Sequence, residues 1–274
     1  MTAAGQAVAS SPQFAALHRR GDPFLLPNAW DVASAVLLAN AGFPAVGTTS
    51  LGVTAAAGLI DGAGTGRAAV LDLARRIAPR LTVPVTVDVE GGYSDDPGEV
   101  AALASELASV GAAGINLEDA RPGGTLRSAA AQAAIIRAVT DAAPGLFVNA
   151  RTDTFWLRIG PEPGRLTDTI GRLLAYADAG ASGVFVPGLA DLQAVDTVTA
   201  RIPQPLNLLW QPGASLAELG QAGVARVSTG SAPYRRALAA GLATAVAARD
   251  GSPPPSGDIT YAELVAVLDG SGAA

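Results

Sequence analysis

Pro84-Val85-Thr86-Val87-Asp88-Val89-Glu90-Gly91-Gly92-Tyr93, an amphipathic stretch over Pro97–Val110, and then Gly114-Ile115-Asn116-Leu117-Glu118-Asp119 form one repeating unit of this chain. The two short β-branched runs read as buried strands. The helical pattern between them is too long for a hairpin, so the strands must run parallel. The same rhythm extends both ways. The first of these strands spans Val83–Glu90, and further strand candidates are Phe24–Trp30, Ala45–Ser50, Leu146–Asp153, Gly183–Pro187, Leu206–Trp210 and Arg226–Gly230. Helical patterns lie over Asp31–Ala41, Arg67–Ala78, Arg127–Ala142, Arg165–Ala179, Asp191–Ala200 and Pro233–Ala248. Gly42, Gly111, Gly180 and Gly223 each follow a helix and precede a strand, the position where a left-handed residue turns the chain into the sheet. About eight β-α units with short connections predict a closed (β/α)8 TIM-type barrel, with an open doubly wound sheet as the alternative.

Residues 1–250 read as that barrel. Residues 251–274 read as a Pro-rich linker, Gly251-Ser252-Pro253-Pro254-Pro255-Ser256-Gly257, and a C-terminal extra helix over Thr260–Leu268, not a separate domain. Tyr261, Leu264, Val265 and Leu268 share one face of that helix, which therefore needs an apolar partner.

Composition narrows the chemistry. The net charge of −6 argues against nucleic acid as a partner. There is no cysteine, so thiol catalysis and thiolate ligands are excluded. The one histidine, His18, lies in Leu17-His18-Arg19-Arg20 and reads as a solvated helix residue, which leaves no Ser-His-Asp triad and no His-based zinc site. The start Met1-Thr2-Ala3-Ala4-Gly5 is unlike a signal peptide, and no apolar run reaches membrane-spanning length. These features predict a soluble, cytoplasmic protein without a membrane partner.

Strand side chains alternate faces, so residues two apart point together. Asp88 and Glu90 share a face; so do Asn116 and Glu118, and Asn149, Arg151 and Asp153. Three strands thus carry ionisable groups at their C-terminal ends, where a barrel builds its active site. Clustered carboxylates repel unless a cation neutralises them. With only hard oxygen donors available, that cation is expected to be Mg²⁺ or Mn²⁺, bound chiefly by Asp88.

The ordered set Gly47-Thr48-Thr49-Ser50-Leu51-Gly52, Ala57-Gly58-Leu59-Ile60-Asp61, Asp88-Val89-Glu90-Gly91-Gly92-Tyr93, Asn116-Leu117-Glu118-Asp119 and Asn149-Ala150-Arg151 resembles the isocitrate lyase/phosphoenolpyruvate mutase superfamily, from about Leu25 to Arg236. The resemblance implies that backbone N–H groups at Thr49, Ser50 and Leu51 hold a substrate carboxylate. It also implies that Asp88 binds the metal, supported by Asp61, Glu90 and Glu118, and that Arg151 contacts substrate. It further implies tetramers formed by exchange of C-terminal helices, hence a homo-oligomer here. The lyases' Lys-Cys loop is missing, and the loop Ala120-Arg121-Pro122-Gly123-Gly124-Thr125-Leu126-Arg127 lacks the Lys and Asn of phosphonate-handling members.

A metal chelated by a small 2-oxo or enol carboxylate supports an enolate-type intermediate. The expected activity is a carbon–carbon lyase, by C–C cleavage or decarboxylation, with Arg151 and Glu118 as catalytic residues. Tyr93 and a water on the metal are candidate acids. Arg121 and Arg127 sit on a loop that either closes over substrate or is solvated surface. One alternative is a phosphonate or enol-phosphate hydrolase or mutase. A phosphate grip at Ser228-Thr229-Gly230-Ser231-Ala232 would suit a phosphorylated substrate, although the segment reads first as a tight turn with a helix cap. Another is a non-catalytic metabolite-binding barrel.

Overall fold

The computed structural model describes residues 11–253 and 256–269; Met1–Gly5, Pro254 and Pro255, on which two of the readings above touch, lie outside them. The strands are β1 (Phe24–Leu26), β2 (Asn28–Ala29), β3 (Val46–Thr48), β4 (Val85–Asp88), β5 (Gly114–Glu118), a two-stranded hairpin of β6 (Ala120–Arg121) and β7 (Thr125–Leu126), β8 (Phe147–Arg151), β9 (Gly183–Phe185), β10 (Leu206–Leu209) and β11 (Arg226–Ser228). All pairs in the main sheet are parallel, in the order β1-β11-β10-β9-β8-β5-β4-β3-β2.

The two ends of this sheet are neighbours in the chain. Pro27 separates β1 from β2, and a proline offers no N–H to a ladder. The first strand therefore breaks there: β1 pairs with β11, β2 pairs with β3, and the ring closes into the (β/α)8 barrel.

The helices are α1 (Ser11–Ala16), α2 (Val32–Asn40), α3 (Ser50–Ala56), α4 (Arg67–Ile77), α5 (Pro97–Ser109), α6 (Ala129–Ala142), α7 (Glu162–Asp178), α8 (Leu192–Arg201), α9 (Leu216–Gln221), α10 (Ala232–Asp250) and α11 (Tyr261–Asp269). Their starts follow side-chain logic. Asp31, Asp96, Ser128, Asp191 and Ser215 each accept a backbone N–H in the first turn of the helix that follows.

Two apolar clusters hold the layers. The larger lies between sheet and helices and includes Val87, Leu117, Val148, Ile135, Leu173 and Val227. The smaller, of Phe14, Leu26, Ala45, Ala113 and Phe147, closes the barrel floor. Glycine makes room for that plug: a Cβ on Gly114 would stand 2.7 Å from the Phe147 carbonyl oxygen and 3.0 Å from the Phe14 ring.

His18 corrects the solvated reading given above. Its ring stacks on Phe147 at 4.2 Å, meets Phe14 and Phe24 edge-on, and donates its Nδ1–H to the Phe14 carbonyl at 2.9 Å. Phe147 lies far in sequence from Phe14 and Phe24, so the box forms only once the floor is closed.

At the other end of the chain, α11 lies against α2. It still leaves Tyr261 87% and Leu268 50% exposed, while Leu238 and Leu242 of α10 are exposed as well. No described helix is long and apolar enough to cross a membrane.

Candidate active site

The C-terminal ends of β3, β4, β5 and β8 deliver the singled-out side chains to three adjoining cavities. The smallest, about 110 Å³, is bounded by Thr49, Ser50, Leu51, Asp61, Asp88 and Arg151. A second, about 290 Å³, shares Ser50, Asp61 and Arg151 and adds Glu118 and Arg121. The third, about 540 Å³, takes Glu90, Glu118 and Tyr93. All eight residues expected at the site thus stand at one mouth, but Asp88 and Glu90 border different cavities. The strand ends at Asp88 and Glu90 turns to a left-handed φ of 50°, so the parity that put them on one face stops there. A left-handed conformation at a glutamate is uncommon.

Arg151 is the hub of the charge network. Its Nε and Nη2 donate to the two carboxylate oxygens of Asp153 at 2.5 and 2.9 Å, and its Nη1 pairs with Glu118 at 2.8 Å. The guanidinium also lies 5.5 Å from the centre of the Phe185 ring. Burial opposes its charge, but Asp153 and Glu118 outweigh burial and hold it protonated.

The carboxyls are under-compensated. Burial raises Asp88, Arg151 opposes that rise, and Asp61 adds to it. Burial also lifts Glu90 to about 7, helped by Asp61 and Asp88, and lifts Glu118 well above the usual range against the pull of Arg151. One oxygen of Glu90 and the hydroxyl of Tyr93 are buried without a hydrogen-bond partner. Hard oxygens, crowded negative charge and an orphaned carboxylate oxygen fit a divalent cation. No group of three or more acidic side chains among the described residues is set to hold an ion by itself.

Ser50 opens α3, so the N–H groups of Ser50 and Leu51 have no helix carbonyl one turn back; that of Ser50 donates to Asp88, which leaves that of Leu51 for an anion, and the expected third donor, Thr49, is spent on the Ala29 carbonyl at 3.0 Å.

Other candidates have structural work. Arg127 is 7% exposed and bonds Asp95, the Ser94 and Glu118 carbonyls, and Gln132. Arg121 pairs with Asp95. Arg127 is thus a pinned post rather than an arm on a moving loop. In the Ser228–Ala232 turn, the Gly230 N–H already donates to Asn28 Oδ1 at 2.8 Å, which favours the turn over the phosphate grip.

Sequence reading missed Arg226, fully buried inside the barrel. Parity held the clue: Val227 faces the helices, so Arg226 and Ser228 must face the bore.

The profile of the phosphoenolpyruvate phosphomutase family matches residues 14–249. This chain belongs to that family, within the phosphoenolpyruvate mutase/isocitrate lyase superfamily. An uncharacterized protein of Mycobacterium tuberculosis is 47% identical over 252 residues, covering 92% of this chain and 94% of its own. A Burkholderia cenocepacia structure, provisionally a phosphonomutase, superposes with a TM-score of 0.82 at 41% identity over 86% of this chain and 98% of that one. The 2-methylisocitrate lyase of Bacillus subtilis is 29% identical over 202 residues, 71% of this chain and 65% of that protein. Members of the superfamily are lyases and mutases.

Proposed function

We propose that this chain is a Mg²⁺-dependent (or Mn²⁺-dependent) carbon–carbon lyase for a small 2-oxo carboxylate, working through an enolate-type intermediate as a cytoplasmic homo-oligomer. The observation that carries the reading is the meeting of under-compensated Asp88 and Glu118, the clamped Arg151 and the N–H groups at the start of α3. A bound divalent cation would polarise the 2-oxo group and lower the cost of enolate formation. Asp88 would hold it directly, and Asp61, Glu90 and Glu118 through water.

The chain's own groups do the rest. The N–H of Leu51, beside the Ser50 N–H that is held on Asp88, receives the C1 carboxylate. Arg151 turns its remaining N–H groups toward the anion developing in the substrate, and Glu118 and Asp153 stop it from swinging away. Cleavage leaves the electron pair of the broken C–C bond in the enolate, and one proton returns to carbon to give the product.

The test has two parts. Mg²⁺ titrated calorimetrically into Asp88→Ala should bind at least about tenfold more weakly than into the wild type. A panel of 2-oxo, 2-hydroxy and enol-phosphate acids, with product detection, should show metal-dependent turnover of a 2-oxo acid. Unchanged affinity in the variant sinks the metal assignment, and turnover of enol phosphates alone moves the chain to the mutase or hydrolase class.

A further inference from the structure

Arg226 is a cation in the bore of the barrel without an ionic partner. Its side chain is fully buried, and no carboxylate lies within ion-pair distance among the described residues. Nε donates to Ser228 Oγ at 3.1 Å, and Nη2 donates to Asn116 Oδ1 at 3.0 Å. In the order of the ring, β11 and β5 are opposite strands, so the side chain spans the bore. Nη1 has no partner, and the guanidinium lies 5.8 Å from the centre of the Phe14 ring below it. Burying an unpaired guanidinium is expensive, and barrel interiors are usually filled by apolar layers. Packing alone does not explain a charge here.

The contacts above it supply a reason. An arginine can only donate, so its bond to Asn116 requires the amide oxygen of Asn116 to point into the bore. That oxygen also accepts from Asn149 Nδ2 at 2.9 Å. The Asn116 NH2 group is therefore the end left for the cavity it lines together with Asp88 and Arg151. Asn116 is in turn the register partner of Asp88 across β4 and β5. Burial pulls Arg226 down to about 9, and the charge of Asp88 counters that pull.

We propose that Arg226 is a positioning residue of the site, giving Asp88 a counter-charge from inside the bore and fixing Asn116 with its NH2 group toward substrate. A built-in cation beneath the acidic mouth holds these carboxylates together before an ion arrives. It also weakens the grip of the mouth on a second cation, because like charges repel through a low-dielectric interior.

This rests on Asp88 as the metal anchor, and the test separates the two ideas. Mg²⁺ alone is titrated calorimetrically into the full-length wild type, Arg226→Met and Arg226→Lys, with melting recorded in EDTA and in Mg²⁺. The Met variant should bind Mg²⁺ about fivefold or more tightly than the wild type while melting lower in EDTA. The Lys variant should keep near wild-type affinity but lose kcat/KM, because it holds Asn116 less well. A purely structural role predicts the opposite sign, with affinity falling alongside melting temperature, and that result, or unchanged affinity in a folded Met variant, overturns the proposal. If the Met variant does not fold, Asn207→Asp places a carboxylate on the register partner of Arg226 and should likewise tighten Mg²⁺ binding; unchanged or weaker binding there also overturns it. Absence of Mg²⁺ binding in the wild type would end the anchor reading itself.

Discussion

Glu118 and Asp119 are consecutive carboxylates at the end of β5, one facing the cavities and the other facing the helices. Burial raises both. They differ in what answers the charge. Glu118 has Arg151 on one side and Asp153, Asp88 and Glu90 pressing on the other. Asp119 receives the Tyr176 hydroxyl at 2.7 Å, the Thr152 hydroxyl at 2.8 Å, the Asp153 N–H at 3.0 Å and Arg172 at 3.2 Å. Two neighbours with the same functional group thus do different jobs. The outer acid is a satisfied knot between β5, β8 and α7, whereas the inner one shares its single arginine, Arg151, with Asp153 and stands among further acids. Uncompensated charge is what a site keeps for a ligand.

The largest effect should come from the outer acid. Asp119→Ala strands Arg172, Tyr176 and Thr152 without their acceptor and should cost roughly 3–5 kcal/mol in denaturant unfolding. Glu118→Gln removes a crowded charge and should cost less than about 1 kcal/mol while sharply reducing turnover. If the two costs were equal, the division between the faces would fail.

How much of this was legible in sequence depends on whether the cause is local. The strand rhythm and the glycine stops are local, and the barrel follows from them. The short helix α3 escaped because seven residues hold too little of a 3.6-residue period to register, and α9 showed only through its glycine stop at Gly223. Parity found Asp88, Glu118 and Arg151, since each lies within its strand. It was less able to place Glu90, beyond the last paired residue, and it said nothing of who neutralises whom. The knot at Asp119 joins residues up to 57 positions apart, so it becomes visible only in three dimensions. Its helix-side partners on α7, Arg172 and Tyr176, are what give Asp119 its job.

Arg151 sharpens the comparison next, because it serves both roles. Its fork on Asp153 is structural and its cavity-facing N–H groups are not. Arg151→Lys keeps the charge and loses the planar fork, so kcat/KM should fall by about tenfold or more while stability drops by only about 1–2 kcal/mol. A large stability loss with normal turnover would move Arg151 to the structural side with Asp119.

Outside the barrel, the exposed apolar residues of α10 and α11 are open in a single chain. Deleting residues from Gly251 onward should lower the particle mass seen by light scattering without lowering the unfolding free energy of the barrel by more than about 1 kcal/mol. A full-length protein that runs as a monomer ends the oligomer reading, and an unchanged assembly after deletion places its interface elsewhere.

The smallest effect tests whether a satisfied environment and an uncompensated one can also be told apart at the floor. His18 sits in the Phe14, Phe24 and Phe147 box, where burial, aided by Arg226, pulls its pKa down from 6.5 to about 3. The unfolded chain takes up a proton on this ring below about 6.5, and the folded chain resists until about 3. The contribution of His18 to stability is therefore full above 6.5 and is lost as pH falls toward 3, with a slope of at most about 1.4 kcal/mol per pH unit. His18→Phe has no proton to take up, and its ring is close enough in shape to occupy the box. The difference in unfolding free energy between wild type and variant cancels the carboxylates that both share. It should be flat from pH 8 to about 6.5 and then turn steadily against the wild type. Parallel profiles down to pH 4 would mean that the ring titrates freely in water, as the isolated sequence suggests, and that the aromatic box does not close around it.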